Sequence, residues 1–307
     1  MEFLKLLEGI RTPALNAFFS AVTVLGEETF FILVGLIFYW CINKKNGHYL
    51  LFVGLFGTVA NQFLKITCRI PRPWVQDTEF TIVESAREAA SGYSFPSGHT
   101  QSAVGTFGTV AAMRREKWLR AICILFCILV PFSRMYLGVH TPQDVCVALL
   151  MGMALVLIFR PLLAWAEEKP LRMHLLFAAV SLLCIAYAFY VNFGSFPPDI
   201  DAENLLSAQK NGAKMLGCFL GLWLAYLVDN RWVHFEEKAS FAGQILKLVL
   251  GLVPVLLIKI LLKAPLIALC GNSAAADGIR YFLIAFFAGG IWPMTFPHFS
   301  KIGRKKQ

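Results

Sequence analysis

Two histidines, one carboxylate and three cations have the types and spacing to do chemistry in this 307-residue chain. His99 directly follows Pro96, Ser97 and Gly98, while His140 precedes Thr141 and Pro142, with Asp144 four residues on. If helical geometry reaches back to His140, the Asp144 carboxylate meets one ring nitrogen, fixes the tautomer and leaves the other nitrogen as a nucleophile. A single histidine at a helix end is more often a structural hydrogen-bonder. A second one at the start of another helix shifts the reading toward catalysis.

The cations are Lys65, Arg72 and Arg134; Pro73 follows Arg72, and Ser133 precedes Arg134. Any one of them could snorkel to the surface of an apolar segment. Three at converging helix ends suit a ligand with several anionic oxygens, because charge-assisted hydrogen bonds contribute about 1.5–3 kcal/mol each. Pro96-Ser97-Gly98 would open a helix whose backbone N–H groups and positive end face an anion, with the Ser97 hydroxyl as a further donor. As turn chemistry alone this tripeptide is an ordinary cap, and His99 immediately after it tips the balance. The set suits phosphoryl transfer. Cations and N–H donors spread the charge on the equatorial oxygens, one imidazole attacks phosphorus, and another protonates the departing alkoxide. Unperturbed imidazoles titrate near pH 6.5, which fits both tasks.

The elements that must position these residues are apolar helices. The chain is 57% hydrophobic and only 15% charged, and Met173 to Pro198 contains no Asp, Glu, Lys or Arg, enough for a bilayer crossing. Nine helices are expected, at 28–43, 48–66, 98–113, 118–137, 143–165, 171–193, 212–229, 241–263 and 280–299. The piece Ala14 to Leu25 is too short to cross alone, and is either re-entrant or crosses with the residues before it. "MEFLKLLEGIRTP" lacks the basic region and cleavage site of a secretory leader and reads as an amphipathic interfacial helix of the mature protein.

The breaks between helices alternate between two sides. One side collects 15 Lys and Arg, from Lys44 to Lys301, Arg304, Lys305 and Lys306; the other collects 9, including Lys65, Arg72 and Arg134. The richer side, with the C-terminus, is therefore expected to be cytoplasmic, and the chemistry to sit at the opposite face. A net charge of +9 divided among such short clusters fits membrane orientation better than nucleic-acid binding. Six of the eight cysteines, Cys41, Cys123, Cys127, Cys146, Cys184 and Cys218, lie in apolar runs and read as packing. Cys68 and Cys270 fall in breaks on one side, where a disulfide is conceivable without further support.

Lys65 with Arg72-Pro73, then Pro96-Ser97-Gly98-His99, then Ser133-Arg134 with His140 and Asp144 together resemble the three-part signature of the type 2 phosphatidic acid phosphatase superfamily. The match covers roughly residues 15–165 and is complete at every signature position. This resemblance implies an all-α, polytopic transmembrane bundle with a six-helix core, here followed by about three additional C-terminal helices. The expected division is a catalytic membrane core at 1–170 and the extra helices at 171–307. The resemblance further implies a metal-independent phosphatase, with no cofactor, working through a phosphohistidine. His140 would attack, Asp144 orient it and His99 protonate the leaving group, while Lys65, Arg72, Ser97, Gly98 and Arg134 bind the phosphate oxygens.

The expected function is hydrolysis of a lipid phosphate or diphosphate monoester at the non-cytoplasmic face, with a phosphorylated lipid and the bilayer as partners. A phosphotransferase or a sugar-phosphate phosphatase could use the same site. A lipid transporter or flippase could use the C-terminal helices, but transport needs no nucleophile. Two features depart from the simple family plan. Three further helices follow the core and carry Lys247 and Lys259 near helix ends, where they are expected to snorkel, with a lipid-phosphate contact as the alternative. The insertion from Trp74 to Tyr93 reads as a lid or substrate-selecting element, against a plain interfacial loop.

Overall fold

The computed structural model describes residues 1–271 and 273–302; Arg304, Lys305 and Lys306 of the charge count lie outside them. Among the described residues every regular element is helical and none is a strand, because in lipid a backbone must satisfy its own hydrogen bonds. Among the described residues seven helical stretches are long and apolar enough to cross a bilayer: Lys44–Gln76, Lys117–Tyr136, Pro142–Glu167, Pro170–Phe193, Ala202–Val233, Phe241–Leu261 and Ser273–Phe299. The chain is a multi-pass membrane protein.

Two of the nine expected crossings fall short on their own. Residues 98–113 are helical throughout, with a π turn at Val104–Gly108 between Gly98–Ala103 and Thr109–Met113. At 1.5 Å per residue they reach about 24 Å, less than the roughly 30 Å of a hydrocarbon core. The segment expected at 28–43 is Glu28–Ile42, and it pairs with Pro13–Gly26 across a 52° bend. The apolar piece Ala14 to Leu25 thus joins the helix after it rather than the residues before it. The break expected from Phe193 to Ala213 is also partly helical. Asp201 Oδ1 accepts from the Asn204 N–H at 2.9 Å and so starts the next helix at Ala202.

The chain gathers into two units. The first comprises Met1–Val34, Tyr49–Arg160 and Pro198–Ser207, and it contains every motif residue named above. Within it the N-terminal helix Glu2–Gly9 buries Leu4 and Leu7 and exposes Phe3 and Leu6. Leu4 packs with Phe80 and Ile82 of the insertion, and Lys5 pairs with Asp77 at 2.9 Å. Further along the insertion, Ala86 and Ala90 pack with Phe19, Tyr136, Leu137 and Val139. The insertion is therefore folded down onto neighbouring helices rather than standing free.

The second unit comprises Gly35–His48, Pro161–Pro197 and Ala208–Gln307. Lys44 reaches Asp229 Oδ2 at 2.6 Å and lies 4.1 Å above the Phe235 ring, while Trp40 Nε1 donates to the Ala288 carbonyl at 2.8 Å. Lys247 does not snorkel: it is 1% exposed, donates to the Glu237 carbonyl at 2.8 Å and sits 4.5 Å above Phe296. A carbonyl and an aromatic face within reach replace the water it would otherwise seek. Lys259 stays exposed. Among the described residues no cysteine forms a disulfide, Cys68 and Cys270 included.

Candidate active site

The third motif is built by two helix ends and the turn between them. The Lys117–Tyr136 helix stops at Gly138, whose φ of +83° is readily adopted only by glycine. Its reversal carries the chain from Arg134 to His140 within six residues. The next helix opens with a reciprocal cap, in which Thr141 N–H donates to Asp144 Oδ2 at 2.8 Å and Asp144 N–H donates to Thr141 Oγ1 at 3.3 Å. This cap aims the Asp144 carboxylate back toward His140, leaving Oδ2 3.5 Å from His140 Nδ1. Both residues are fully buried.

The second motif joins the third through backbone. Ser97 N–H donates to the Asp144 carbonyl at 3.1 Å, and Ser97 Oγ caps the helix that starts at Gly98 by accepting from Thr100 N–H. Asn61, one turn before Lys65, donates to the Pro96 carbonyl at 3.3 Å. His99 Nε2 is buried with no hydrogen-bond partner.

The first motif supplies two cations from the end of the Lys44–Cys68 helix and the residues after it. Lys65 Nζ donates to the Tyr93 carbonyl and, at 3.5 Å, to that of Ser94. Arg72 donates from Nε to the Gly92 carbonyl at 3.0 Å, from Nη2 to Ser91 at 2.7 Å, and from Nη1 to Val139 at 3.0 Å. The same Nη1 lies 2.9 Å from His140 Nε2. A guanidinium can only donate, so Nε2 carries the lone pair and Nδ1, on the Asp144 side, carries the proton. Burial, and after it the charges of Arg72, Lys65, Arg134 and His99, holds His140 well below the ordinary histidine range. The ring is thus neutral at pH 7, and does not titrate near 6.5 as the sequence led one to expect.

Arg134 is wholly buried. Its Nη1 donates to Thr23 Oγ1 at 2.8 Å, while Nε and Nη2 have no partner. Two unpaired donors on a buried cation represent a large desolvation cost unless an anion completes them. Each residue expected from the sequence therefore lies in the first unit around one buried, cation-rich centre. Sequence reasoning missed Thr23, which holds Arg134, and Ser94, whose hydroxyl donates to Asp144 Oδ2 at 2.6 Å. Among the described residues no group of three or more His, Cys, Asp or Glu is arranged to hold a metal ion.

Residues 46–168 match the PAP2 superfamily, and residues 213–305 match the transmembrane extension of PAP2 superfamily phosphatases. The chain belongs to the PAP2 superfamily. All three motifs of this PAP2 chain fall inside the first match, whereas Thr23 lies before it. It is similar to a probable sphingosine-1-phosphate phosphatase of Dictyostelium discoideum (29% identity; 49% of this chain, 39% of that one) and to an undecaprenyl-diphosphatase of Bacillus subtilis (30%; 38% and 58%). It is also similar to phosphatidylglycerophosphatase B of Bacillus subtilis, at 28% identity over 49% of this chain and 76% of the relative. The first two alignments thus span 39% and 58% of the lengths of those relatives. A crystal structure of Aquifex aeolicus LpxE aligns with 26% identity and a TM-score of 0.44, covering 52% of this PAP2 chain and 92% of its own.

Proposed function

We propose that this PAP2 protein is a metal-independent lipid phosphatase that releases phosphate from a lipid phosphate or diphosphate monoester at the non-cytoplasmic face. The observation that carries the reading is a neutral, buried imidazole whose unprotonated Nε2 meets Arg72 in a cationic centre, where Arg134 keeps two donors unpaired. The names of the relatives given above share one chemistry, a phosphate ester on a membrane lipid. The charge bias supports this sidedness: on the alternation read from the sequence the motif ends fall on the cation-poor side, and three of its nine Lys and Arg belong to the site itself.

The phosphoryl group enters between Arg134 and His140, and displaces Arg72 Nη1 from His140 Nε2. Lys65, Arg72, Arg134, the Ser97 hydroxyl and the Gly98 N–H take up its oxygens, so the protein supplies the positive charge that a metal provides elsewhere. His140 Nε2 attacks phosphorus as the bond from phosphorus to the lipid oxygen breaks, and Asp144 stabilises the charge that grows on the ring. His99 takes up the proton brought in by the phosphate monoanion and passes it to the leaving alkoxide. It then takes one from the water that attacks the phosphohistidine, and inorganic phosphate leaves.

The test is phosphate release by purified protein in vesicles from phosphatidic acid, phosphatidylglycerol phosphate, polyprenyl diphosphate, sphingosine phosphate and a sugar phosphate, alongside His140→Ala. Phosphate released from lipid esters by wild type only is the expected result. Equal release by both proteins would refute the reading, and a new phosphorylated acceptor in place of free phosphate would make the protein a transferase.

A further inference from the structure

We propose that Ser94, which lies outside the three motifs, is a positioning residue of the reaction proposed above: its hydroxyl anchors the Asp144 carboxylate and shares the His140 Nδ1 proton with it. The inference rests on that functional reading for its catalytic consequence and on geometry for everything else.

Ser94 is wholly buried, and its main chain is fixed independently of its side chain. Its N–H donates to the Ile70 carbonyl at 2.8 Å, and its carbonyl accepts from Lys65 Nζ at 3.5 Å. The hydroxyl is therefore not needed to fold the loop, which leaves its own contacts to be explained. Ser94 Oγ lies 2.6 Å from Asp144 Oδ2 and 3.5 Å from His140 Nδ1. Nδ1 lies at the same 3.5 Å from Oδ2, so both contacts are longer than the usual N–H···O bond: neither oxygen alone fixes the ring, and Nδ1 faces the two together.

The donor arithmetic has one solution. An ionised carboxylate can only accept, so the single hydroxyl proton of Ser94 goes to Asp144 Oδ2. Toward Nδ1 the serine oxygen can then only accept, which requires the proton on Nδ1. Arg72 imposes the same tautomer from the opposite side of the ring by donating to Nε2. Ser94 and Arg72, brought together from separate loops, thus agree on which nitrogen is free to attack. The charged groups acting on this ring are Arg72, Lys65, Arg134, His99 and Asp144.

Removing the hydroxyl takes a donor from Asp144. The lone pairs that Ser94 engaged are then left to act on the imidazole proton, so protonation of His140 becomes easier. Ser94→Ala should lower kcat roughly 10- to 100-fold, as loss of an orienting partner of a functional imidazole does elsewhere, with KM within about twofold. The acid limb of its pH profile should move to higher pH, and Ser94→Thr, which keeps the hydroxyl, should restore both. Where Ser94→Ala does not fold, Ser94→Cys places Sγ where Oγ was and is expected to show the same two changes.

An assay-independent readout is the Nδ1–H resonance of His140 in protein labelled with 15N-histidine, assigned by its absence in His140→Ala. It should move in Ser94→Ala and return in Ser94→Thr. Wild-type kcat, acid limb and resonance in both Ser94→Ala and Ser94→Cys would overturn the proposal, as would a rise in KM alone. A wild-type protein that hydrolyses no lipid phosphate, while Ser94→Ala still moves the resonance, would refute the phosphatase reading and leave the positioning role standing.

Discussion

Arg72 Nη1 sits 2.9 Å from His140 Nε2, the atom proposed to attack phosphorus. The guanidinium occupies the place that phosphorus would take in the proposed attack, and in doing so keeps the attacking nitrogen unprotonated. Its planar fork serves three backbone carbonyls as well.

A point charge cannot reproduce that fork. Arg72→Lys and Arg134→Lys should each lower kcat/KM about 10- to 100-fold, the equivalent of one lost charge-assisted hydrogen bond of about 1.5–3 kcal/mol. Steady-state phosphate release measures this, and wild-type rates in both variants would remove the two arginines from the site.

His140 holds its proton less tightly than an unfolded histidine. The attacking form is the unprotonated ring, so kcat/KM should persist as pH falls through about 6.5 and decline only below it. The unfolded chain binds the proton more readily, so this group also makes stability fall as pH drops below about 6.5. Rate profiles and thermal inactivation followed across pH 5–8 check both signs; a rate that halves near 6.5 would contradict the first.

Thr23 reaches Arg134 from the bent helix pair ahead of the PAP2 match. Thr23→Val keeps the shape and removes the acceptor, leaving a third guanidinium nitrogen unsatisfied at a cost of about 1–3 kcal/mol. Affinity for a phosphate analogue should fall roughly tenfold, whereas Thr23→Ser should bind as wild type. Isothermal titration with vanadate separates the two.

Gly26 lies against the second motif so closely that a Cβ would stand 2.8 Å from the His99 carbonyl oxygen and 2.8 Å from Val130 Cγ1. Gly26→Ala should therefore displace His99, with about 1–3 kcal/mol of overpacking. We expect kcat to fall while the folded protein is still recovered; full activity in this variant would show that His99 tolerates movement.

Charge neutralisation by Lys65, Arg72 and Arg134 implies turnover in excess chelator and competitive inhibition by vanadate. Activity lost in chelator and regained only with a divalent ion would assign part of the charge to a metal.

The chemistry was legible in the sequence where it is local. The reciprocal cap of Thr141 and Asp144 spans three residues, and it helps aim a carboxylate at His140. Ser94 and Thr23 were not legible, because their partners lie 50 and 111 residues away and neither residue type stands out in a loop or an apolar helix. The helix at 98–113 was recognised, but apolarity does not report length across a bilayer. Lys247 was misread because only tertiary packing brings the Glu237 carbonyl and the Phe296 ring to its ammonium.

The carbonyls of Ser91, Gly92 and Tyr93 already occupy Arg72 and Lys65. An anion that draws on these donors competes with the chain's own carbonyls, so the binding energy it gains is reduced by the contacts it replaces. On the function proposed above, product phosphate is accordingly expected to be held weakly.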